Sequence, residues 1–517
     1  MLNFFNKRFF IIFLFPLILG GLTTLSFQPF NFFFINFISL PLLFFSIVYV
    51  KKKSKSTYRR KPYLKNLFIL GSSYGFGFFF FGIYWIAYSL TFDESFKFLI
   101  PFSLFFIPLF LSLFFSLPIL LTGNFCEKNI SSIFLISIAF SISDYLRSII
   151  LTGFPWNIWS YSFSWSIESL QILSMIGLFS FNIIILTIFF LPSIIFFKNQ
   201  TKYFFIFFFT LLIFSNYFYG SYKINSIKTN NENNKINFKI VSANMELSDF
   251  KDEKEVASKL IRYSEPNKEK KTIFVWPEGV FLSKDFYKNK EIKELFIKNF
   301  SRNHLIIFGA NTSKNINSDQ KYYNSFLVVD KNLNFVGNYE KKKLVPFGEF
   351  LPFESFLNSF GLKKITYGYS SFSRGKGEPI INIKLGSENF KILSLICYEI
   401  IFPSFVDKYK DFNFIINISE DAWFGASTGP HQHFAKSIFR SIESGVYTIR
   451  SANKGISAFI SPEGKILKSL QPDEIGNIEL NIPMIENIKK GIKKDLIFLS
   501  LLFTYIFTFF VLRKLKI

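Results

Sequence analysis

The sequence predicts two architectures in one chain: an α-helical membrane part of about eight spans, and an α/β or layered α+β domain carried between the seventh and eighth. Three observations lead there. Half of the 517 residues are hydrophobic, 77 of them phenylalanine, and they gather in runs too long for a single globular core. Runs of about 18 or more apolar residues read as membrane-crossing helices, so a purely soluble protein is excluded, as is disorder in so aromatic a chain. The stretch 221–494 instead alternates short apolar runs with polar loops, and only 25 of the 77 phenylalanines fall there.

The apolar runs lie near 9–26, 31–50, 66–90, 98–122, 130–150, 170–197, 203–220 and 495–512. The first follows Lys7 and Arg8 and lacks a small-residue cleavage site, so it reads as a retained helix rather than a signal peptide. The formal charge of +23 invites a nucleic-acid partner. A better account is that basic residues mark cytoplasmic loops, and no nucleic-acid partner is expected. The loop 51–65 alone holds Lys51, Lys52, Lys53, Lys55, Arg59, Arg60, Lys61 and Lys65. Placing it inside also places Lys7, Arg8, Lys128, Lys198, Lys202, Arg513, Lys514 and Lys516 inside, against Lys97 alone in the opposite short loops. Sixteen against one puts both termini in the cytoplasm and 221–494 across the membrane. The expected division is a membrane domain 1–220 with seven spans, an extracytoplasmic domain 221–494, and a last helix with its cytoplasmic tail 495–517.

Within 221–494, strand-like runs fall at 237–243, 272–276, 304–310, 325–330, 391–397, 413–418, 446–450, 456–461 and 477–482, with helix-like segments at 254–264, 290–300 and 431–444. In the last, Phe434, Ile438 and Ile442 share one face.

Three places could carry chemistry. Glu278, in Trp276-Pro277-Glu278, follows a buried strand, where partial desolvation favours a general base. An ordinary glutamate in a turn gives the same string, so it decides nothing alone. Lys341, Lys342 and Lys343 run straight into Leu344-Val345-Pro346-Phe347-Gly348, and an inward lysine could stabilise an oxyanion. Spacing does not choose among the three. Cys397 closes the apolar run Leu393–Ile396, a strand-to-turn position that presents a nucleophile, although a buried cysteine is more often a small hydrophobe. With only Cys126 and Cys397 there is no disulfide framework. His431 and His433 have only His304 as a further histidine, so neither a metal site nor another cofactor is expected. Together, one glutamate, one lysine and one cysteine at strand ends form a set able to do thiol acyl chemistry.

That Glu–Lys–Cys order resembles the nitrilase superfamily, and the local sequences resemble its membrane-embedded branch, the apolipoprotein N-acyltransferases. The resemblance implies an αββα sandwich for 221–494. The family's Lys-x-x-Leu-Val-Pro-Phe-Gly-Glu motif selects Lys341, and Cys397-Tyr398-Glu399 matches its nucleophile motif. Further matches are Tyr323-Asn324-Ser325; Asp421-Ala422-Trp423-Phe424-Gly425; Gly429-Pro430 with Gln432-His433; Arg450 and Asn453; and Gly153-Phe154-Pro155-Trp156 after Arg147. By this resemblance Glu278, Lys341 and Cys397 are catalytic, Asn324, Glu349, Tyr398 and Glu399 support them, and Trp156, Trp423 and Phe424 meet substrate or the membrane interface. The aromatic loop Phe154, Trp156, Trp159, Tyr161, Phe163, Trp165 suits the interface. The implied reaction takes an acyl chain from a bilayer phospholipid onto Cys397 and passes it to the α-amine of a diacylated apolipoprotein, at a bacterial inner membrane with the catalytic domain periplasmic. The chain departs from the family pattern at Gly279-Val280, where Thr-Ala is usual, at Glu420, where Asn is usual, and at Asp144, where Glu is usual.

Two other readings use the same features. With water as second nucleophile the triad would make a membrane-tethered nitrilase-like amidase or hydrolase. A non-catalytic transporter or receptor would carry charges within several helices, whereas only Asp144 and Arg147 lie inside a span.

Overall fold

The computed structural model describes residues 9–53, 62–226, 234–316, 319–352, 371–485 and 493–517. Lys7, Arg8, Lys55, Arg59, Arg60 and Lys61, which enter the orientation argument, lie outside the described residues. The chain divides into two units, Met1–Asn225 with Ile492–Ile517, and Ser226–Gly491.

In the first unit every apolar run is helical. Among the described residues, six helices are long and apolar enough to cross a membrane: Phe33–Lys52, Glu94–Thr122, Ile130–Ile149, Leu173–Phe196, Lys202–Ser226 and Lys494–Lys514. The helices Tyr63–Gly82 and Tyr84–Thr91 form an apolar pair bent by 47° that makes a seventh span if the two are taken as one, and Phe10–Ser26 is a shorter apolar helix. With no water at that depth, polar side chains must be satisfied internally. The Thr23 hydroxyl donates to the Leu19 carbonyl at 2.8 Å, and Thr122 to Pro118 at 2.7 Å. Lys51 donates to the Cys126 carbonyl at 3.1 Å and Arg513 to the Phe125 carbonyl at 3.0 Å. The C-terminal end of the helix Asn36–Lys53, the turn before Ile130–Ile149 and the C-terminal end of Lys494–Lys514 therefore meet at one end of this unit.

The charged pair inside a span is buried and committed. Arg147 binds Asp144 at 2.8 Å and the carbonyls of Phe154 and Trp156 at 2.8 and 2.6 Å, and Asn182 donates to Asp144 at 2.9 Å. This cluster draws the aromatic loop inward and corrects one expectation. Trp156 is buried, its ring against Trp85 and Phe154, and Trp159, Tyr161 and Phe163 are buried too. Of that loop Trp165 is the exposed ring.

The second unit contains two six-stranded sheets. One runs β12-β1-β2-β3-β4-β5 and the other β11-β10-β9-β8-β7-β6. The strands are β1 Lys235–Ser242, β2 Thr272–Val275, β3 His304–Ile316, β4 Asp319–Val329, β5 Phe335–Glu340, β6 Ile380–Leu385, β7 Glu388–Ile396, β8 Phe414–Glu420, β9 Tyr447–Asn453, β10 Ser457–Ile460, β11 Ile466–Leu470 and β12 Gly476–Pro483. The central trios β1-β2-β3 and β7-β8-β9 are parallel, with antiparallel strands outside them. Parallel strands are buried on both faces, which is why these segments are nearly continuous apolar runs.

The sheets face each other: Phe238 of β1 lies 5.2 Å from Phe414 of β8 and 6.4 Å from Phe390 of β7, ring centre to ring centre. Helices Glu253–Ser264 and Lys290–Asn299 cover the first sheet, with Val256, Leu260, Ile292 and Phe296 in one core with Phe274, Trp276 and Phe308. Asp252 caps the first of these helices through the Lys254 and Glu255 amides, and Asn289 caps the second. Helix Gly429–Ser444 packs on the second sheet, completing four layers, α-β-β-α.

Candidate active site

Parallel strands in layered α/β folds point their C-terminal ends at one rim, and the candidate residues sit there. Glu278 lies three residues beyond β2, Lys341 one beyond β5, Cys397 one beyond β7, and Glu420 ends β8. At Glu278 the chain crosses close to β3. A Cβ on Gly309 would lie 2.6 Å from the Glu278 Cα, so only glycine permits this approach. Cys397 has φ of +47°, a left-handed conformation uncommon for a side-chain-bearing residue and frequent where a turn presents a nucleophile.

Lys341 is buried between two acids, its Nζ 2.9 Å from Glu349 Oε1 and 3.2 Å from Glu278 Oε1. Asn324 spreads its amide hydrogens over the same two oxygens, at 2.7 Å to Glu278 and 2.6 Å to Glu349. The remaining oxygens are held by the main chain: Glu278 Oε2 by the Glu420 amide at 2.9 Å, and Glu349 Oε2 by the Val345 amide at 2.8 Å. Burial pulls the Lys341 ammonium down, but Glu278 and Glu349 outweigh it and hold it protonated above its ordinary range. The Cys397 thiol is pushed well up, first by burial and then by Glu278, with the Lys341 cation opposing. The resting group is therefore a thiol, needing a base to take its proton and a cation to hold the charge. Both sit in the field of Cys397.

Glu399 ties the lysine loop to the nucleophile turn. Its Oε1 accepts from the Tyr339 hydroxyl at 2.7 Å and from the Lys342 and Lys343 amides at 2.9 and 3.1 Å; its Oε2 accepts from the Ile396 amide at 3.0 Å. Tyr398 is buried edge-on against Phe402 at 5.0 Å. Trp423 and Phe424 are half-buried on the turn after β8, and Phe424 covers His433 at 5.4 Å.

Sequence reasoning gave no role to a second buried network behind the nucleophile. Asn417 and Arg450 are opposite one another on β8 and β9 and are hydrogen-bonded. Arg450 also binds Asp421 Oδ2 at 2.7 Å, and Asp421 Oδ1 faces His433 Nδ1 at 3.0 Å. Asp421 is held well below the usual carboxylate range; burial works against this, and Arg450 and His433 overcome it. Burial, then Arg450, pushes His433 down to about 4, so its ring is neutral at pH 7. A neutral imidazole has one N–H to give. It has two places to go: Nδ1, which lies between Asp421 Oδ1 and Arg450 Nη2 (3.1 Å from the latter), and Nε2, 3.3 Å from the Cys397 carbonyl. Asn417 reaches the same carbonyl at 3.5 Å and that of Leu395 at 3.2 Å. The network thus surrounds the carbonyl of Cys397. The available signal was a polar residue inside each of two apolar runs.

The chain is similar to known proteins. A family model described as carbon-nitrogen hydrolase matches residues 251–490, and one described as apolipoprotein N-acyltransferase N-terminal domain matches 19–191. The apolipoprotein N-acyltransferase of Rickettsia prowazekii is 33% identical over 473 residues, 90% of this chain and 91% of that protein. The chain belongs to the apolipoprotein N-acyltransferase family. That of Rhizobium leguminosarum bv. trifolii is 29% identical over 90% of this chain and 88% of its own length. Among solved structures, Saccharomyces cerevisiae Nit3, a member of branch 10 of the nitrilase superfamily, is similar at 17% identity and a TM-score of 0.32, covering 48% of this chain and 90% of Nit3. The chain is an acyltransferase bound to the membrane.

Two departures from the apolipoprotein N-acyltransferase pattern have local explanations. Gly279 has φ of +71°, where a side chain would be strained. At Glu420 the contact to Glu278 is made by the main-chain amide and so does not depend on which side chain stands there. Its buried carboxyl group accepts the Asn453 amide at 3.0 Å and is pushed well up, by burial and then by Glu278 and Asp421.

Proposed function

We propose that Cys397, Lys341 and Glu278 move an acyl chain from a membrane phospholipid to the N-terminal α-amine of a diacylglyceryl-cysteine apolipoprotein. Glu278 takes the thiol proton as the Cys397 sulfur bonds to the ester carbonyl carbon. The Lys341 ammonium offsets the charge on the tetrahedral oxyanion. The intermediate collapses, the ester C–O bond breaks, and Glu278 returns the proton to the departing alkoxide, giving a thioester and a lysophospholipid. In the second half the α-amine attacks the thioester, Glu278 accepts an amine proton, the C–S bond breaks, and the thiol is restored as the amide forms. Asn324 and Glu349 orient the acid and the lysine, Glu399 and Tyr398 hold the nucleophile turn, and Trp423 and Phe424 line the approach of substrate. Trp156 is assigned instead to holding its loop within the membrane unit.

The observation that carries this reading is the Lys341 ammonium bridging Glu278 and Glu349 within the field of a cysteine in a left-handed turn. Incubation with acyl-labelled phospholipid and a diacylated lipopeptide tests it. N-acylated lipopeptide is expected; free labelled fatty acid with an unmodified amine would make the protein a membrane-tethered hydrolase instead.

The same proposal divides the chain at 1–220, 221–494 and 495–517 into membrane domain, catalytic domain and C-terminal span. It places the protein in a bacterial inner membrane with both termini cytoplasmic and the catalytic domain periplasmic. Support comes from sixteen basic residues in the loops assigned inside against Lys97 outside. Protease added to the outer face of spheroplasts should cut within 221–494; protection there would invert the topology. Because both substrates are lipid-anchored, a site held at that surface meets them in two dimensions.

A further inference from the structure

We propose that Lys343 and Arg374 form a phosphodiester-recognising subsite beside the nucleophile, engaged by the phospholipid donor in the first half-reaction and unused in the second. The inference rests on the acyl-transfer reading above and adds how the donor is recognised.

The segment 372–375 is fixed to both loops that carry the catalytic lysine and its acid partner. The Phe372 amide donates to the Glu349 carbonyl at 2.9 Å, the Ser373 amide to the Tyr322 carbonyl at 2.8 Å, and the Gly375 amide to the Lys341 carbonyl at 2.9 Å. A Cβ on Gly375 would lie 2.0 Å from the Glu340 oxygen, so the strand can lie this close only with glycine there. Arg374 is an exposed side chain on a pinned backbone, beside the lysine loop. Lys343 is two residues beyond Lys341, and its amide is anchored on Glu399 at 3.1 Å.

Both cations lie over aromatic rings, Lys343 Nζ 4.9 Å from the Phe402 centroid and the Arg374 guanidinium 5.6 Å from that of Phe350. Neither makes an ion pair or a side-chain hydrogen bond with a carboxylate among the described residues. The nearby acid Glu399 is already occupied by the Tyr339 hydroxyl and three main-chain amides. The Gly375–Lys341 main-chain bond sets the segments carrying the two cations side by side, and burial, then the Arg374 charge, pull the Lys343 ammonium down against Glu399.

An anion between them would relieve that repulsion. Deeper in the site one ammonium faces two acids, a cluster that disfavours an incoming phosphate unless cations meet it at the rim. A phospholipid brings a phosphodiester separated by a glycerol from the ester carbonyl that Cys397 attacks. A diacylglyceryl-cysteine brings none. The pair therefore separates donor from acceptor by charge.

The test follows the two half-reactions separately in the full-length enzyme. Acylation of Cys397 is timed by intact mass with subsaturating phosphatidylethanolamine; the acyl-enzyme, formed at saturating donor, is then freed of lipid and mixed with diacylated lipopeptide. For Lys343→Gln combined with Arg374→Gln we expect acylation to slow by about tenfold or more through weaker donor binding, and transfer to lipopeptide to stay within about twofold. Arg374→Lys with Lys343 intact should recover part of the loss. Inorganic phosphate should slow acylation of the wild type but not transfer to the acceptor. Equal slowing of both half-reactions, or of neither, overturns the subsite. So does phosphate inhibition of both alike, which would mark a free-anion site. A wild type that forms no thioester would instead overturn the acyl-transfer reading itself.

Discussion

At the residue scale the site depends on the charge balance around Cys397. Lys341 is locked between Glu278 and Glu349, while the thiol it serves is kept protonated by burial and by Glu278. Replacing Lys341 by Met should therefore cost about three orders of magnitude in turnover, measured as N-acylated lipopeptide formed per minute. Lys321→Met, an exposed lysine on β4, should stay within about twofold. Glu278→Gln separates two properties that usually move together. It removes the proposed base, so turnover should collapse, yet it also removes a negative charge that raises the thiol. Its Cys397 should be alkylated by iodoacetamide at pH 8 faster than that of the wild type. Lys341→Met should move alkylation the other way. If Glu278→Gln slows alkylation, Glu278 is not the group that holds the proton on the thiol.

At the element scale, strand ends deliver the proposed catalytic groups, and a buried network behind β8 and β9 backs the turn that follows β7. Arg450 neutralises Asp421, binds Asn417 and meets the histidine that lies against the Cys397 carbonyl. Truncating one partner of such a buried pair leaves the other charged and unpaired. Arg450→Met should destabilise the catalytic unit by about 3–5 kcal/mol, read from denaturant unfolding; a loss below about 1 kcal/mol would show that the network is not holding the turn. The central strands were legible in the sequence because burial on both faces makes them apolar runs. The strands it did not show are β5, β6 and β11, and each lies at the edge of its sheet. Edge strands need only one apolar face or none, and they mix Asn, Lys and Ser into the run, as in Ile380–Leu385 and Ile466–Leu470. The choice of Lys341 among three consecutive lysines came from the family motif, not from spacing. The supporting network was hidden for another reason: Asn417 with Asp421, His433 and Arg450 come from three separate segments, and only the β8–β9 register and the Gly429–Ser444 helix bring them together.

At the scale of the whole molecule, the composition records the membrane, and the catalytic unit carries the pH response. Two buried groups there give slopes of opposite sign. His433 is pushed from 6.5 down to about 4, so between those values the unfolded chain binds a proton that the fold refuses. Its contribution is present near neutrality and lost as pH falls through that window, about 3 kcal/mol in all. Glu420 is raised, so its fold keeps a proton that the unfolded chain releases above the ordinary carboxyl value, and stability falls as pH rises. Glu420→Gln should therefore raise the unfolding temperature at pH 8 and change little at pH 4; a shift of equal size at both would remove protonation as its cause. The central claim is that Cys397 carries the acyl group between two lipid-anchored substrates. Intact-mass measurement of the detergent-solubilised protein after exposure to phospholipid of one acyl composition tests this most directly. The wild type should gain one acyl mass on Cys397, removable by neutral hydroxylamine as a thioester is, and Cys397→Ala should gain none. An unmodified wild type with its fold intact, or the same adduct in Cys397→Ala, would contradict the account.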